Sequence, residues 1–298
     1  MTDARKFDLE LASIIIEPAV QAALAEDLGL AGDVTTNSVI GPDVTAVGLF
    51  ATRNPGVVSG LKVAEAAFRA LDPNVVFEIV HPDGTNAPGK QPLARVRGQA
   101  RALLSAERVA LNFVGRMSGI ATLTKQFVDA VKGTKAVIID TRKTTPNLRA
   151  FEKYAVRCGG GVNHRVGLFD AVLIKDNHIV VAGGIGPAIT AVKTRVGHLV
   201  KIEVEVDTLD QLKEALQYKI DAVLLDNMTP EKLRQAVAMC AGKVITEASG
   251  GVNLDSVRAI AEAGIDLISS GALTHSAAVL DIGLDFEIGT LGSRNSAA

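Results

Sequence analysis

From Ala136 onward the chain repeats one unit: a short aliphatic, β-branched run that stops at charged or hydroxyl side chains, then a stretch with helical spacing. The runs are AVIID, AVLIKD, VKIEVEVD, DAVLLDN, KVITEAS and DLISSG. Between them, sets such as Leu209, Leu212, Ala215 and Leu216, or Pro230, Leu233 and Val237, put apolar side chains on one helical face. Strands buried on both faces and alternating with helices restrict this region to an α/β fold with a parallel sheet. An incomplete (β/α) barrel of about six to seven parallel strands is favoured over an open sheet, because nearly every run ends in polar groups: Asp140, Lys175, Glu205, Asp226, Glu247 with Ser249, and Ser270. In a barrel those ends share one mouth, whereas an open sheet gathers ligands only at a switch point.

The first hundred residues follow another plan. A helix is expected over 17–28, stopped by Gly29, with GDVTT as a turn into an extended segment. Short strands over 44–52, 56–59, 75–80 and 93–98 surround a helix at 62–71, an α+β sandwich with turns at Pro55-Gly56, Pro82-Asp83-Gly84 and Pro88-Gly89. A long helix over about 105–131 links this domain to the barrel. Ile282, Leu284, Phe286 and Ile288 alternate, as in a last strand returning to the first sheet, and GSRNSAA reads as a loose tail. The expected domains are 1–115, 116–275 and a returning segment 276–298.

With 298 residues, 48% hydrophobic and 21% charged, the chain can bury a large core. A formal net charge of -2 removes the electrostatic case for nucleic acid. Cys158 and Cys240 have neither disulfide nor zinc-knuckle spacing, which suits a reducing cytoplasm. The opening MTDARKFDLELASIIIEP breaks its apolar run at Glu17, unlike a signal peptide. No apolar run approaches the roughly 18 residues that span a bilayer.

Chemistry concentrates between Asp140 and His178. Arg142, Lys143, His164, Arg165 and Lys175 crowd near two strand ends with few acids beside them, and a buried cation needs a counter-charge. An anionic substrate would supply it. Glu203 and Glu205 share one face of a strand, opposite Ile202, Val204 and Val206. With Asp226 they offer hard oxygen donors for Mg²⁺ or for sugar hydroxyls; the alternative is an edge strand with solvated acids. Ser249-Gly250-Gly251 and Ser270-Gly271, in consecutive βα units, suit a phosphate cradle, although either alone reads as an ordinary turn. His275 follows the second turn within reach of a phosphate, and Gly183 to Pro187 reads as a structural helix entry. Arg101, Ser105, Arg108 and Asn112 share a helical face, with snorkelling and functional arginines equally open. No metal-type histidine spacing and no Ser-His-Asp order stands out.

DTRKTTP, GGGVNHRVGLFD, LIKDNH, EVEVD, LLDNM, EASGGV and ISSGALTHS, with EDLGLAGDVTT and ERVALNFVGRMSGIAT before them, together resemble the quinolinate phosphoribosyltransferases, also called carboxylating nicotinate-nucleotide pyrophosphorylases. The resemblance covers almost the whole chain, with the motifs in order. Two departures are Asn147, where glycine is expected, and Phe169, where tyrosine is common. The resemblance implies transfer of phosphoribosyl from 5-phosphoribosyl-1-pyrophosphate to quinolinate with Mg²⁺, releasing pyrophosphate and CO₂ and giving nicotinate mononucleotide. It implies that Arg142, His164, Arg165 and Lys175 bind the quinolinate carboxylates, with Thr141 and Lys143 beside them. Arg108 would come from the partner subunit of a homodimer whose N-terminal domain covers the neighbouring barrel. Glu205 and Asp226 would hold ribose hydroxyls and Mg²⁺, and Ser249, Gly250, Gly251, Ser270, Gly271 and His275 the phosphates. Lys143, Lys175, Glu205 and Asp226 would then be the catalytic set, with no dedicated acid or base.

Three rivals remain at this level. A Schiff-base lyase using Lys175 is disfavoured by the adjoining Asp176, which opposes the depressed pKa a nucleophilic lysine needs. A non-catalytic phosphoribosyl-compound binding protein fits poorly with an intact charged set. A nicotinate-type phosphoribosyltransferase would bind one carboxylate and need fewer cations.

Overall fold

The computed structural model describes residues 10–287. In chain order the first elements are α1 (Ser13–Leu28), α2 (Val34–Val39), β1 (Thr45–Thr52), β2 (Gly56–Val57), α3 (Leu61–Leu71), β3 (Val76–Ile79), β4 (Asn86–Ala87), β5 (Pro92–Gln99) and α4 (Ala100–Ala130). Then come β6 (Val137–Ile139), α5 (Arg149–Cys158), β7 (Val172–Ile174), α6 (Asp176–Ala182), α7 (Ile185–Lys193), β8 (Ile202–Val206) and α8 (Leu209–Ala215). The last are β9 (Ala222–Asp226), α9 (Pro230–Cys240), β10 (Ile245–Ser249), α10 (Val257–Glu262), β11 (Leu267–Ser269), α11 (Ala272–His275) and β12 (Ile282–Glu287).

Two compact units result, one from residues before Leu123 and after Ala277, the other from Leu123–Ala277. The division falls inside α4, later than the expected 115/116. Gly115 and Gly119 look like breaks in the helical pattern but serve packing instead. A Cβ on Gly119 would lie 2.0 Å from the Ala278 carbonyl oxygen, and Gly115 accepts the backbone N–H of Leu280 at 3.0 Å. The helix needs glycine there so that the returning chain can approach its backbone.

In the first unit an antiparallel sheet runs β12-β1-β5-β3. The expected return is present: β12 pairs with β1 from Thr52↔Ile282 to Val47↔Glu287. Ile288 and the GSRNSAA tail lie outside the described residues. Phe50 of β1, Phe68 of α3 and Phe77 of β3 form an aromatic core with centroid separations of 5.8, 5.9 and 6.2 Å, which joins the helix to the sheet face by apolar burial.

GDVTT departs from expectation. It starts a helix, because the Asp33 carboxylate accepts the Thr36 backbone N–H at 2.8 Å and so caps α2. Thr36 holds the Asp33 carboxyl below its ordinary 3.8. Asp33→Ala is therefore expected to cost about 1 kcal/mol of stability. Because the folded-state pKa is depressed, that contribution is complete above the unfolded value and disappears as the pH falls through the lower folded value. Urea unfolding of both forms at neutral pH and near pH 3 should show the difference shrinking in acid.

The second unit holds six parallel strands in the order β6-β11-β10-β9-β8-β7. Beyond β6 a single parallel bridge, Ile139↔Val162, marks a vestigial seventh position. Among the described residues no strand joins it to β7, so this is the expected incomplete barrel. Burial along β8 alternates between buried aliphatics and half-buried glutamates. β8 pairs on both sides, so the solvated edge-strand alternative for its acids fails. No helix among the described residues is long and apolar enough to cross a membrane.

Candidate active site

The C-terminal ends of the barrel strands surround a cleft of about 730 Å³. Each strand delivers its side chains there as soon as its buried run stops. Thr141, Arg142 and Lys143 follow β6, and Lys175 follows β7. Glu205 comes from β8 and Asp226 from β9, then Ser249, Gly250 and Gly251 after β10, and Ser270, Gly271 and His275 after β11. His164 and Arg165, from the loop after α5, complete the wall, with Leu173 and Leu224 as an apolar floor. Every residue expected at the site therefore lines one cleft, except Arg108. That arginine is exposed on α4 and is absent from this wall.

Four permanent cations, Arg142, Lys143, Arg165 and Lys175, face three carboxyls, Glu205, Asp226 and Glu247. Lys175 Nζ donates to Glu205 at 2.8 Å. Arg165 donates through one terminal nitrogen to the Ala171 carbonyl at 3.1 Å. The Nε–H groups of both Arg142 and Arg165 are buried without an acceptor. Such orphaned charged donors are costly unless an anion meets them. Burial first, and then the charge of Arg142, draws the Arg165 guanidinium below its ordinary value. Two arginines thus stand close enough to repel, with Glu203 and Asp170 offsetting only part of that effect on Arg165.

The glycine turn after β10 is a built feature. Gly250 has φ +93°, and a Cβ there would lie 2.2 Å from the Asn227 side-chain oxygen. Asn227, itself at φ 52°, donates its side-chain amide to Asp226 at 2.6 Å and its backbone N–H to the Ser249 carbonyl at 2.9 Å. The turn and the Asp226 carboxylate are therefore fixed together. The residue following TTP, Asn147, adopts φ 64°; the expected glycine was a requirement for left-handed backbone, which asparagine tolerates best among the alternatives.

Beneath the cations lies a network that sequence reasoning missed. Asp140, fully buried, pairs with buried Lys153 of α5. The same carboxylate accepts the His164 backbone N–H at 2.9 Å and the Asn163 amide at 2.6 Å, while Lys153 also donates to the His164 carbonyl at 3.0 Å. Burial raises Asp140 and lowers Lys153, each opposed by the other's charge. The only sequence signal was the pair Glu152-Lys153 inside the apolar run from Phe151 to Val156.

His164 was expected among the substrate ligands, but both of its ring nitrogens are engaged within the protein. Nδ1 accepts the Arg165 backbone N–H at 2.8 Å, and Nε2 lies 3.0 Å from Glu203. Glu203 does not join Glu205 and Asp226 in the cleft wall; it points into the barrel one pleat below Glu205.

Comparison with known proteins agrees with this arrangement. Residues 120–285 match the family described as quinolinate phosphoribosyl transferase, C-terminal domain, and residues 33–118 match its N-terminal domain. A Mycobacterium leprae protein named nicotinate-nucleotide pyrophosphorylase (carboxylating) is 45% identical over 273 residues, covering 89% of this chain and 95% of the relative. A Bacillus subtilis protein named as probably the same enzyme is 42% identical over 260 residues, covering 87% and 89%. The solved nicotinate-nucleotide pyrophosphorylase from Francisella tularensis superposes with a TM-score of 0.89 at 39% identity, covering 93% of this chain and 98% of that one. A barrel open at one seam, with a cationic mouth beside carboxylates and glycine turns, is the architecture of a phosphoribosyl-transferring enzyme. The chain belongs to the quinolinate phosphoribosyltransferase family.

Proposed function

We propose that the protein transfers phosphoribosyl from 5-phosphoribosyl-1-pyrophosphate to quinolinate with decarboxylation, giving nicotinate mononucleotide, CO₂ and pyrophosphate in de novo NAD synthesis. The observation that carries this reading is the pair of buried, acceptor-free guanidinium Nε–H groups of Arg142 and Arg165 on the wall they share with Lys175. A dicarboxylate satisfies such a cluster, whereas nicotinate, with one carboxylate, leaves charge uncompensated. Arg142, Arg165, Lys175 and Thr141 hold quinolinate. Glu205 and Asp226 face the ribose, and Lys143, Ser249, Gly250, Gly251, Ser270, Gly271 and His275 face the phosphates.

The pyridine nitrogen attacks the anomeric carbon as the bond to pyrophosphate breaks and the leaving oxygen takes the electron pair. Glu205 and Asp226 stabilise positive charge growing on the ribose, while Lys143 stabilises the leaving group. Glu205 starts from its ion pair with Lys175, so substrate entry redistributes that lysine toward the quinolinate carboxylate. In the quaternised ring the adjacent carboxylate then departs as CO₂. Its bonding electrons stay on the ring carbon as an ylide stabilised by the adjoining positive nitrogen, and that pair takes a proton from water, so no protein nucleophile is needed.

Glu205 and Asp226 fit Mg²⁺ because both present hard carboxylate oxygens to the cleft, and these two residues would hold the ion. When bound, the ion would neutralise pyrophosphate charge. Arg108, exposed on α4, is assigned to the neighbouring site of a homodimer. Two free, buried cysteines suit a reducing cytoplasm.

Incubation with quinolinate, 5-phosphoribosyl-1-pyrophosphate and Mg²⁺ should yield nicotinate mononucleotide and CO₂ in equal amounts, with no product from nicotinate. Turnover of nicotinate alone would move the protein to a nicotinate-type enzyme, and silence with both would leave a binding protein.

A further inference from the structure

The carboxylate of Glu203 lies in the barrel interior, and the mechanism above does not use it. It faces His164 Nε2 at 3.0 Å, and Glu247 lies 3.5 Å from the same nitrogen. On the other side of the ring, Nδ1 accepts the backbone N–H of Arg165 at 2.8 Å. A neutral imidazole carries one N–H, so an accepting Nδ1 requires the proton on Nε2, where Glu203 receives it. Three consecutive groups, carboxylate, imidazole and main-chain amide, are thereby joined from the barrel interior to the residue that faces the substrate. Arg165 is held at its other end by the Ala171 carbonyl, and its Nε–H stays without an acceptor.

We propose that Glu203 and His164 are positioning residues: Glu203 fixes the tautomer and plane of the His164 ring, and the ring fixes the backbone of Arg165 so that its guanidinium is presented to a substrate carboxylate. The inference rests on Arg165 being a quinolinate ligand. Glu247 supports it from below. Burial, and then the charge of Glu203, push the Glu247 carboxyl well above its ordinary range, while by geometry Glu203, at 3.0 Å, is the nearer carboxylate to the imidazole. A metal ion held by His164, Glu203 and Glu247 is the competing use of this cluster. It is disfavoured because Nδ1 accepts the Arg165 backbone N–H, which leaves the ring proton on Nε2, the nitrogen that would have to bind the ion.

The decisive observation is the tautomer of His164 in the unliganded protein, read from nitrogen-15 chemical shifts of the imidazole, with His164→Gln used to assign the signals. The relay requires Nε2–H. An Nδ1–H tautomer, or a shift produced by adding Zn²⁺ at stoichiometric concentration, overturns it, and neither result depends on turnover. The second measurement is calorimetric binding of quinolinate and, separately, of 5-phosphoribosyl-1-pyrophosphate to Glu203→Gln, Arg165→Ala and the double variant. Glu203→Gln should weaken quinolinate binding roughly ten- to hundredfold and leave the phosphoribosyl donor unchanged. On the Arg165→Ala background it should have no further effect on quinolinate, since the two act as one unit. Additive losses would sink the relay. Absence of quinolinate binding by the parent protein would instead sink the functional reading, with the tautomer still deciding the contact itself.

Discussion

Lys153→Met is expected to destabilise the barrel unit by about 3–5 kcal/mol, the cost of leaving a buried charge without its partner. Asp140 is fully buried, and besides Lys153 its carboxylate meets two neutral donors, the Asn163 amide and the His164 backbone N–H. With the lysine gone, the carboxylate keeps its hydrogen bonds but loses its counter-ion. Burial already raises Asp140 above its ordinary 3.8, opposed chiefly by the Lys153 charge, so removing that charge raises it further. The sign of the pH dependence follows. An acid whose folded-state pKa exceeds its unfolded value favours folding most below the unfolded value, and that advantage is lost as the pH rises through the folded one. Unfolding midpoints in urea should therefore separate parent and variant widely at pH 8 and less at pH 5. Replacing both partners, Lys153→Met with Asp140→Leu, should recover part of the loss in stability, because two apolar side chains leave no charge to solvate. It should still loosen the loop at Asn163 and His164, which Asp140 and Lys153 clamp from both sides. A double variant as stable and as active as the parent would mean that the pair has no positioning role.

How far the site could be read from sequence follows the same division between exposed chemistry and buried support. The barrel was legible because its strands are buried on both faces and each terminates at a polar side chain. Lys175, Asp226 and Ser249 mark those ends without ambiguity, and the structure gathers them around one mouth, while Asp140 ends its strand buried beneath it. Period-two alternation also placed Glu203 and Glu205 on one face, yet it could not separate their depths. Glu205 reaches Lys175 at the mouth, while Glu203 reaches His164 inside. Lys153 was invisible for a related reason: a lysine in an amphipathic helix ordinarily marks the solvent face, and only the three-dimensional approach of Asp140 turns it inward. GDVTT was misread because Asp before β-branched residues suits both a turn and a helix cap, and tertiary contacts decide between them. The Asp33 carboxylate meets Ser105 of α4 at 3.0 Å, a contact far along the chain that favours the cap. Gly115 and Gly119 likewise serve a strand-return segment that no local pattern announces.

Arg165→Ala is expected to lower quinolinate affinity by about 1.5–3 kcal/mol, roughly ten- to hundredfold, as one charged hydrogen bond is lost. Affinity for 5-phosphoribosyl-1-pyrophosphate should hold, because the carboxylates and glycine turns proposed to bind it come from β8 to β11, whereas Arg165 stands with Arg142 on the cationic wall. Stability should move the other way. In the unliganded protein the Arg165 guanidinium is lowered by burial and by Arg142, and its Nε–H has no acceptor. Removing it relieves repulsion and an orphaned donor at once. The variant should therefore melt no lower than the parent while binding quinolinate worse, the signature of a residue kept for function at the expense of the empty state. Saturating quinolinate should then raise the melting temperature of the parent by more than that of the variant, since a ligand stabilises a fold in proportion to its affinity. Equal losses for the two substrates would remove Arg165 from the quinolinate side of the cleft. A lower melting temperature in the empty variant would recast it as a structural arginine, held by Ala171 rather than held for a substrate.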